Sequence, residues 1–177
     1  MQSQLTLFLT RLATLLRQRH ILLASGLGVV ACMLGFQWLK TQLGAPMLDE
    51  LQGYDQMALV EHLLLYGEAG RGLHAGFTLS LDMVFPLVYG AFFGGLLALM
   101  SPRPWAAFSP LAVLVVMVLD VAENFQLAGL LYGFPNLSAA QIEMASQTTQ
   151  AKFLAIQFMF LWLLGLTVWR VYKRVRN

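Results

Sequence analysis

Residues 118–126 read V-L-D-V-A-E-N-F-Q and stand inside an apolar segment covering residues 106–131. A helix through this stretch brings Asp120, Glu123 and Asn124, at i, i+3 and i+4, onto one face. A carboxylate near the middle of a membrane helix costs about 2.5 to 3.5 kcal/mol even on the lenient insertion scale. Two on adjacent turns therefore turn away from lipid, and the rest of the chain has to supply their partners.

The whole chain has the composition such a segment needs. Of its 177 residues, 58% are hydrophobic and 11% charged, with a mean hydropathy of +0.67, which is far from an average soluble domain. The lone Cys32 excludes an intramolecular disulfide and a multi-cysteine metal site. A net charge of +2 gives no footing for nucleic acid.

Working outward, residues 1–20 carry Leu5, Phe8, Leu9, Leu12, Leu15 and Leu16 at helical spacing, followed by Arg17 and Arg19, and read as an amphipathic helix on the cytoplasmic membrane surface. Residues 21–177 read as a single membrane domain, with spans at about residues 21–39, 73–100, 106–131 and 148–169. The first apolar run is too long for a signal peptide and lacks a small-residue cleavage site. Between the first two spans, residues 54–66 suggest a short outer interfacial helix that ends at the glycines of residues 67–70. The second span is long enough to tilt or to kink at Pro86. Residues 136–147 read as an outer loop with a turn of helix after Ser138. The fold class expected is all-α: an integral membrane four-helix antiparallel bundle.

Eight of the eleven Lys and Arg residues, Arg11, Arg17, Arg19, Arg103, Arg170, Lys173, Arg174 and Arg176, fall on one side of this arrangement, and none of the nine acids does. By the positive-inside rule both termini are cytoplasmic, as in a multi-pass protein of the bacterial inner membrane.

Helical rise then sets the depths. Counting about 1.5 Å per residue from Leu73, Asp82 lies about 13 Å below the outer surface, and Glu123 lies at the same depth counted from Tyr132. Lys152 enters from the fourth span, with Thr149 one turn before it. Arg71 and His74 are placed at the mouth of the second span, and Tyr89 shares a stripe with Thr78, Asp82 and Pro86. The simplest pairing sets Lys152 against Glu123 or Asp82, with Asn124 and Tyr89 satisfying remaining lone pairs. Three carboxylates do not balance one lysine, so either Arg71 reaches in or a proton stays on one of them.

Other features lead to ordinary roles. His20, His62 and His74 lack ligand spacing, no short catalytic or phosphate-binding motif is present, and neither metal nor cofactor is expected. Trp38, Trp105 and Trp169 mark span ends. Gly90-x-x-x-Gly94 offers a close helix contact, through which a homodimer could form.

The set Glu68-x-x-Arg71, Asp82-x-x-Phe85-Pro86-x-x-Tyr89-Gly90, Asp120-x-x-Glu123-Asn124 and Thr149-x-x-Lys152 resembles a family of small bacterial four-helix integral membrane proteins to which no activity is attached. The similarity covers about residues 54–169. It implies that these residues work as a set, and it implies no mechanism.

Two functional readings follow. In the first, Asp82, Asp120, Glu123 and Lys152 carry acid and base chemistry on a lipid or isoprenoid-like substrate reaching a buried polar site from the outer side, with Arg71, His74, Tyr89, Asn124 and Thr149 binding it. In the second, the protein is a non-enzymatic ligand-binding or accessory membrane protein whose polar cluster packs helices, at about 0.6 to 2 kcal/mol per hydrogen bond, or docks a partner. Membrane lipids are partners in both. A carrier needs alternating access, which four helices without a repeat do not readily give.

Overall fold

The computed structural model describes residues 4–102 and 105–176. Arg103, which the charge count places on the cytoplasmic side, lies outside the described residues. Six α-helices are present among the described residues: α1 (Gln4–Leu16), α2 (Arg19–Leu43), α3 (Gln56–Thr78), α4 (Leu81–Met100), α5 (Pro110–Gly133) and α6 (Ala139–Arg176). A single 3-10 turn, Leu48–Glu50, lies between α2 and α3, and no strand occurs among the described residues. Four helical stretches, Arg19–Leu43, Gln56–Met100, Pro110–Gly133 and Ala139–Arg176, are long and apolar enough to cross a membrane.

Two boundaries differ from the sequence expectation, each for a local reason, while the helix opening at Gln56 does end at Gly67, which leaves helical geometry at φ 64° before a second helical segment runs on to Thr78. The expected second span is broken at Leu79–Ser80. There the Ser80 hydroxyl donates to the Gly76 carbonyl at 2.6 Å, and the Ser80 amide bonds Phe77 O at 3.1 Å, which tightens and closes the turn. Lastly, residues 139–147 are no loop but the opening of α6. Ser138 and Gln141 form a reciprocal cap, the Gln141 amide donating to Ser138 Oγ at 3.3 Å and the Ser138 amide to Gln141 Oε1 at 3.0 Å. No helix-breaking residue follows until α6 ends at Arg176, Gly165 being tolerated inside it.

The chain divides into two compact units. Unit 1 holds residues 1–29, 87–117 and 154–177. In it Leu9, Ala13, Leu97, Val113 and Val116 are buried, and Phe93 meets Phe160 edge-on with centroids 5.4 Å apart. Gly90 and Gly94 are used within the chain: a Cβ at Gly90 would strike the Met117 side chain, and one at Gly94 would sit 3.4 Å from Leu16 and 3.6 Å from Pro110. Arg170 donates Nε to Met100 O at 3.1 Å and Nη2 to Leu99 O, satisfying carbonyls that the end of α4 leaves open.

Unit 2 holds residues 30–86 and 118–153. Its apolar core joins Phe36, Leu39 and Leu43 of α2, Leu59, Leu63 and Tyr66 of α3, Leu127, Leu130 and Leu131 of α5, and Ile142 and Ala145 of α6. Met47, Leu48 and Tyr54 close the core from the connection between α2 and α3. That connection is tied down at several points. Lys40 pairs with Glu50 at 2.8 Å, Tyr66 Oη donates to Pro46 O at 2.5 Å, and the His62 ring meets the same carbonyl at 2.9 Å. The Tyr54 amide donates to Ser146 Oγ of α6 at 2.9 Å. The buried polar cluster described next belongs to unit 2.

Candidate functional site

On α5 the i, i+3, i+4 spacing has the consequence expected of it: Asp120, Glu123 and Asn124 are 5%, 0% and 0% exposed. On α6 a spacing of three does the same for Ser146, Thr149 and Lys152, all buried. The two faces meet through ion pairs and hydrogen bonds. Lys152 Nζ pairs with Glu123 Oε2 and lies 3.1 Å from Asp120 Oδ1. Thr149 Oγ1 donates to Glu123 Oε1 at 2.5 Å. Both oxygens of Glu123 are therefore engaged, one by an ammonium and one by a hydroxyl.

Asn124 reaches α4, and the reason lies four residues along that helix. Pro86 has no amide hydrogen, so the carbonyl of Asp82 loses the helical donor it would otherwise have. Asn124 Nδ2 donates to that carbonyl at 2.9 Å. The proline opens an acceptor, which a side chain of α5 occupies. The Asp82 side chain sits in the first turn of α4, where the positive end of the helix dipole favours a carboxylate. It lies within electrostatic reach of Asp49, Asp120, Lys152 and Glu123, and no hydrogen bond to it is present among the described residues.

Two members of this cluster escape a reading of helical spacing. Asp49, half-buried in the 3-10 turn, faces Lys152, and burial pushes its carboxyl up while the lysine pulls it down. Tyr54 turns its hydroxyl toward Thr149, in the neighbourhood of Glu123, Asp49 and Lys152, without a hydrogen bond of ordinary geometry. Burial, the largest cause, raises its phenol above the usual range. Tyr54 Oη and Asn124 Oδ1 are both buried and unpartnered.

Two sequence-predicted residues do not join the cluster. Arg71 donates Nη1 to Leu63 O at 3.0 Å and holds its guanidinium 4.6 Å from the centre of the Phe134 ring. Gly67 interrupts α3, so Leu63 is among the last four residues of the first half, whose carbonyls lack helical donors, and Arg71 supplies one. His74 stands at no mouth. It is 1% exposed, edge-on to Tyr66 at 5.4 Å, because the helix continuing past Gly67 carries it into the core. Tyr89 is buried in unit 1.

Among the described residues no three His, Cys, Asp or Glu side chains come together in a way that could hold a metal ion. An open groove of about 730 Å³ runs beside Gln56, Met57, Val60, Glu61, Leu64 and Leu65. Its lining comes from α3 alone and includes none of the buried polar residues. What the cluster offers chemically is four carboxyl groups, one ammonium, two hydroxyls and an amide in an apolar surrounding. Comparison with protein-family models, with curated proteins and with solved structures finds no match to this chain.

Proposed function

We propose that this chain is a multi-pass protein of the bacterial inner membrane with both termini on the cytoplasmic side, and that its buried cluster carries acid and base chemistry on a lipid or isoprenoid-like substrate reaching it from the outer leaflet. One observation carries the reading. Tyr54 Oη and Asn124 Oδ1 are buried without partners beside carboxyl groups that outnumber the single lysine, an arrangement costly for a fold and useful for a substrate.

In this reading Glu123 and Asp82 exchange the proton. Lys152 and Thr149 fix Glu123, Asp120 holds Lys152 in place, and Asn124 and Tyr54 orient the substrate. The reading is tested by comparing lipid extracts of cells with the gene, without it, and with Glu123→Gln, by mass spectrometry. A product present only with wild-type protein supports it. Identical extracts in all three overturn it.

A second reading has its own observation. Glu123 is saturated by Lys152 and Thr149, as a purely structural tie between α5 and α6 would be. A stability cycle on Lys152 and Glu123 separates the two, since a tie binds its strength into folding.

A further inference from the structure

We infer that the group recognised by this cluster is an ammonium, so that the substrate of the acid and base reading, on which this inference rests, is an amine-bearing amphiphile. Donors and acceptors in the cluster do not balance. Lys152 directs its ammonium at Asp120 and Glu123. Thr149 gives its one proton to Glu123. Asn124 gives its amide to the Asp82 carbonyl. Each of these groups is engaged on the protein itself, Lys152 through two of its three hydrogens. The groups left are the Asp82 carboxylate, to which no hydrogen bond is present among the described residues, Asn124 Oδ1, and the Tyr54 hydroxyl, which accepts as well as donates.

Charge points the same way. Asp49, Asp82, Asp120 and Glu123 lie in one another's field; Lys152 is buried beside them, and Lys40, which also acts on Asp49, is paired with Glu50. A phosphate or carboxylate brought here adds to the excess of like charge and meets no unengaged lysine or arginine, because Arg71 is held by Leu63 O and the Phe134 ring. An ammonium brings three donors and one positive charge, the complement of three unpartnered acceptors in an acidic setting. The residues that would receive it, Asp82, Asn124 and Tyr54, come from α4, α5 and the connection before α3.

The test uses the full-length protein in maltoside micelles, titrated with dioleoyl phosphatidylethanolamine, with dioleoyl phosphatidylglycerol, and with free ethanolamine, and read by native mass spectrometry. Phosphatidylethanolamine should bind about tenfold more tightly than phosphatidylglycerol, the factor expected of one charge-assisted hydrogen bond. Asp82→Asn should abolish that preference. Tyr54→Phe, which removes a buried hydroxyl without a partner and so keeps the fold, should reduce it.

Binding of ethanolamine alone means that a free amine is sufficient, and binding of the lipid alone means that the acyl chains are needed too; both support ammonium recognition. Equal or tighter binding of phosphatidylglycerol overturns it, as does a preference unaltered in both variants. The parent reading fails separately. A phosphatidylethanolamine preference with unchanged lipid extracts overturns the chemistry and keeps the recognition, whereas turnover lost in Glu123→Gln without any preference overturns the recognition alone.

Discussion

Pro86 and Asn124 should be energetically coupled, although their link is a carbonyl belonging to a third residue. Pro86 deprives Asp82 O of its helical donor, and Asn124 Nδ2 replaces that donor at 2.9 Å. Replacing Asn124 by Leu, of similar shape, does two opposed things. It strands the Asp82 carbonyl, at a cost of about 1 to 3 kcal/mol, and it removes the buried, unpartnered Oδ1, whose relief is of the same order. The single variant is therefore uninformative by itself.

Pro86→Ala returns an amide hydrogen to position 86, and the helix then satisfies Asp82 O without help. In that background Asn124→Leu no longer strands a carbonyl. The cost of Asn124→Leu should accordingly fall by about 1 to 1.5 kcal/mol between the proline and the alanine background, the net worth of one buried hydrogen bond. Reversible unfolding by sodium dodecyl sulfate in mixed micelles measures all four corners of the cycle. Additive effects, within about 0.3 to 0.5 kcal/mol, would refute the idea that the asparagine stands in for the amide that the proline lacks.

Three further outcomes are expected. Lys152→Met leaves Asp120 and Glu123 buried without their cation and should cost about 3 to 5 kcal/mol in the same unfolding assay, only part of it recovered when Glu123→Gln is added, because Asp120 still lacks the ammonium. Failure of the second substitution to recover stability would show that the ammonium is held for something other than this pair. Gly67→Ala should destabilise by more than about 1 kcal/mol; a Cβ there meets nothing within 4 Å, so the penalty comes wholly from the left-handed φ of 64°. Asp55→Ala should cost about 1 kcal/mol and loosen the start of α3, seen as faster amide exchange at Ala58, whose amide donates to Asp55 Oδ1 at 2.8 Å.

The sequence made legible whatever depends on helical spacing. Asp120, Glu123 and Asn124 on one face, and Thr149 with Lys152 on another, needed only the periods of two helices and the cost of charge in an apolar setting. What it hid depends on irregular backbone. Asp49 and Tyr54 lie between helices, where spacing assigns no direction to a side chain, and nothing in their neighbours marks them as facing Lys152. Charge balance allows either that Arg71 reaches the carboxylates or that one of them keeps a proton, and it does not show that the interruption at Gly67 leaves a carbonyl of Leu63 closer at hand for Arg71. The polar character of residues 139–147 suggested a loop, yet a polar stretch is as good a helix as an apolar one once Ser138 and Gln141 cap it. The resemblance to a four-helix family pointed to the same polar set and had no bearing on how the connection before α3 would fold onto α6.

The hydrogen bond from the Tyr54 amide to the Ser146 hydroxyl has a kinetic consequence. An amide locked in a helix exchanges with deuterium only when that helix opens, whereas this one is held by a side chain and is freed when the segment carrying Asp49 and Tyr54 lifts from α6. Its exchange rate is then a clock for the arrival of water at Glu123 and Lys152, readable at one residue. Ligands that settle in the cluster should slow that clock and leave the amides of the neighbouring helices ticking as before.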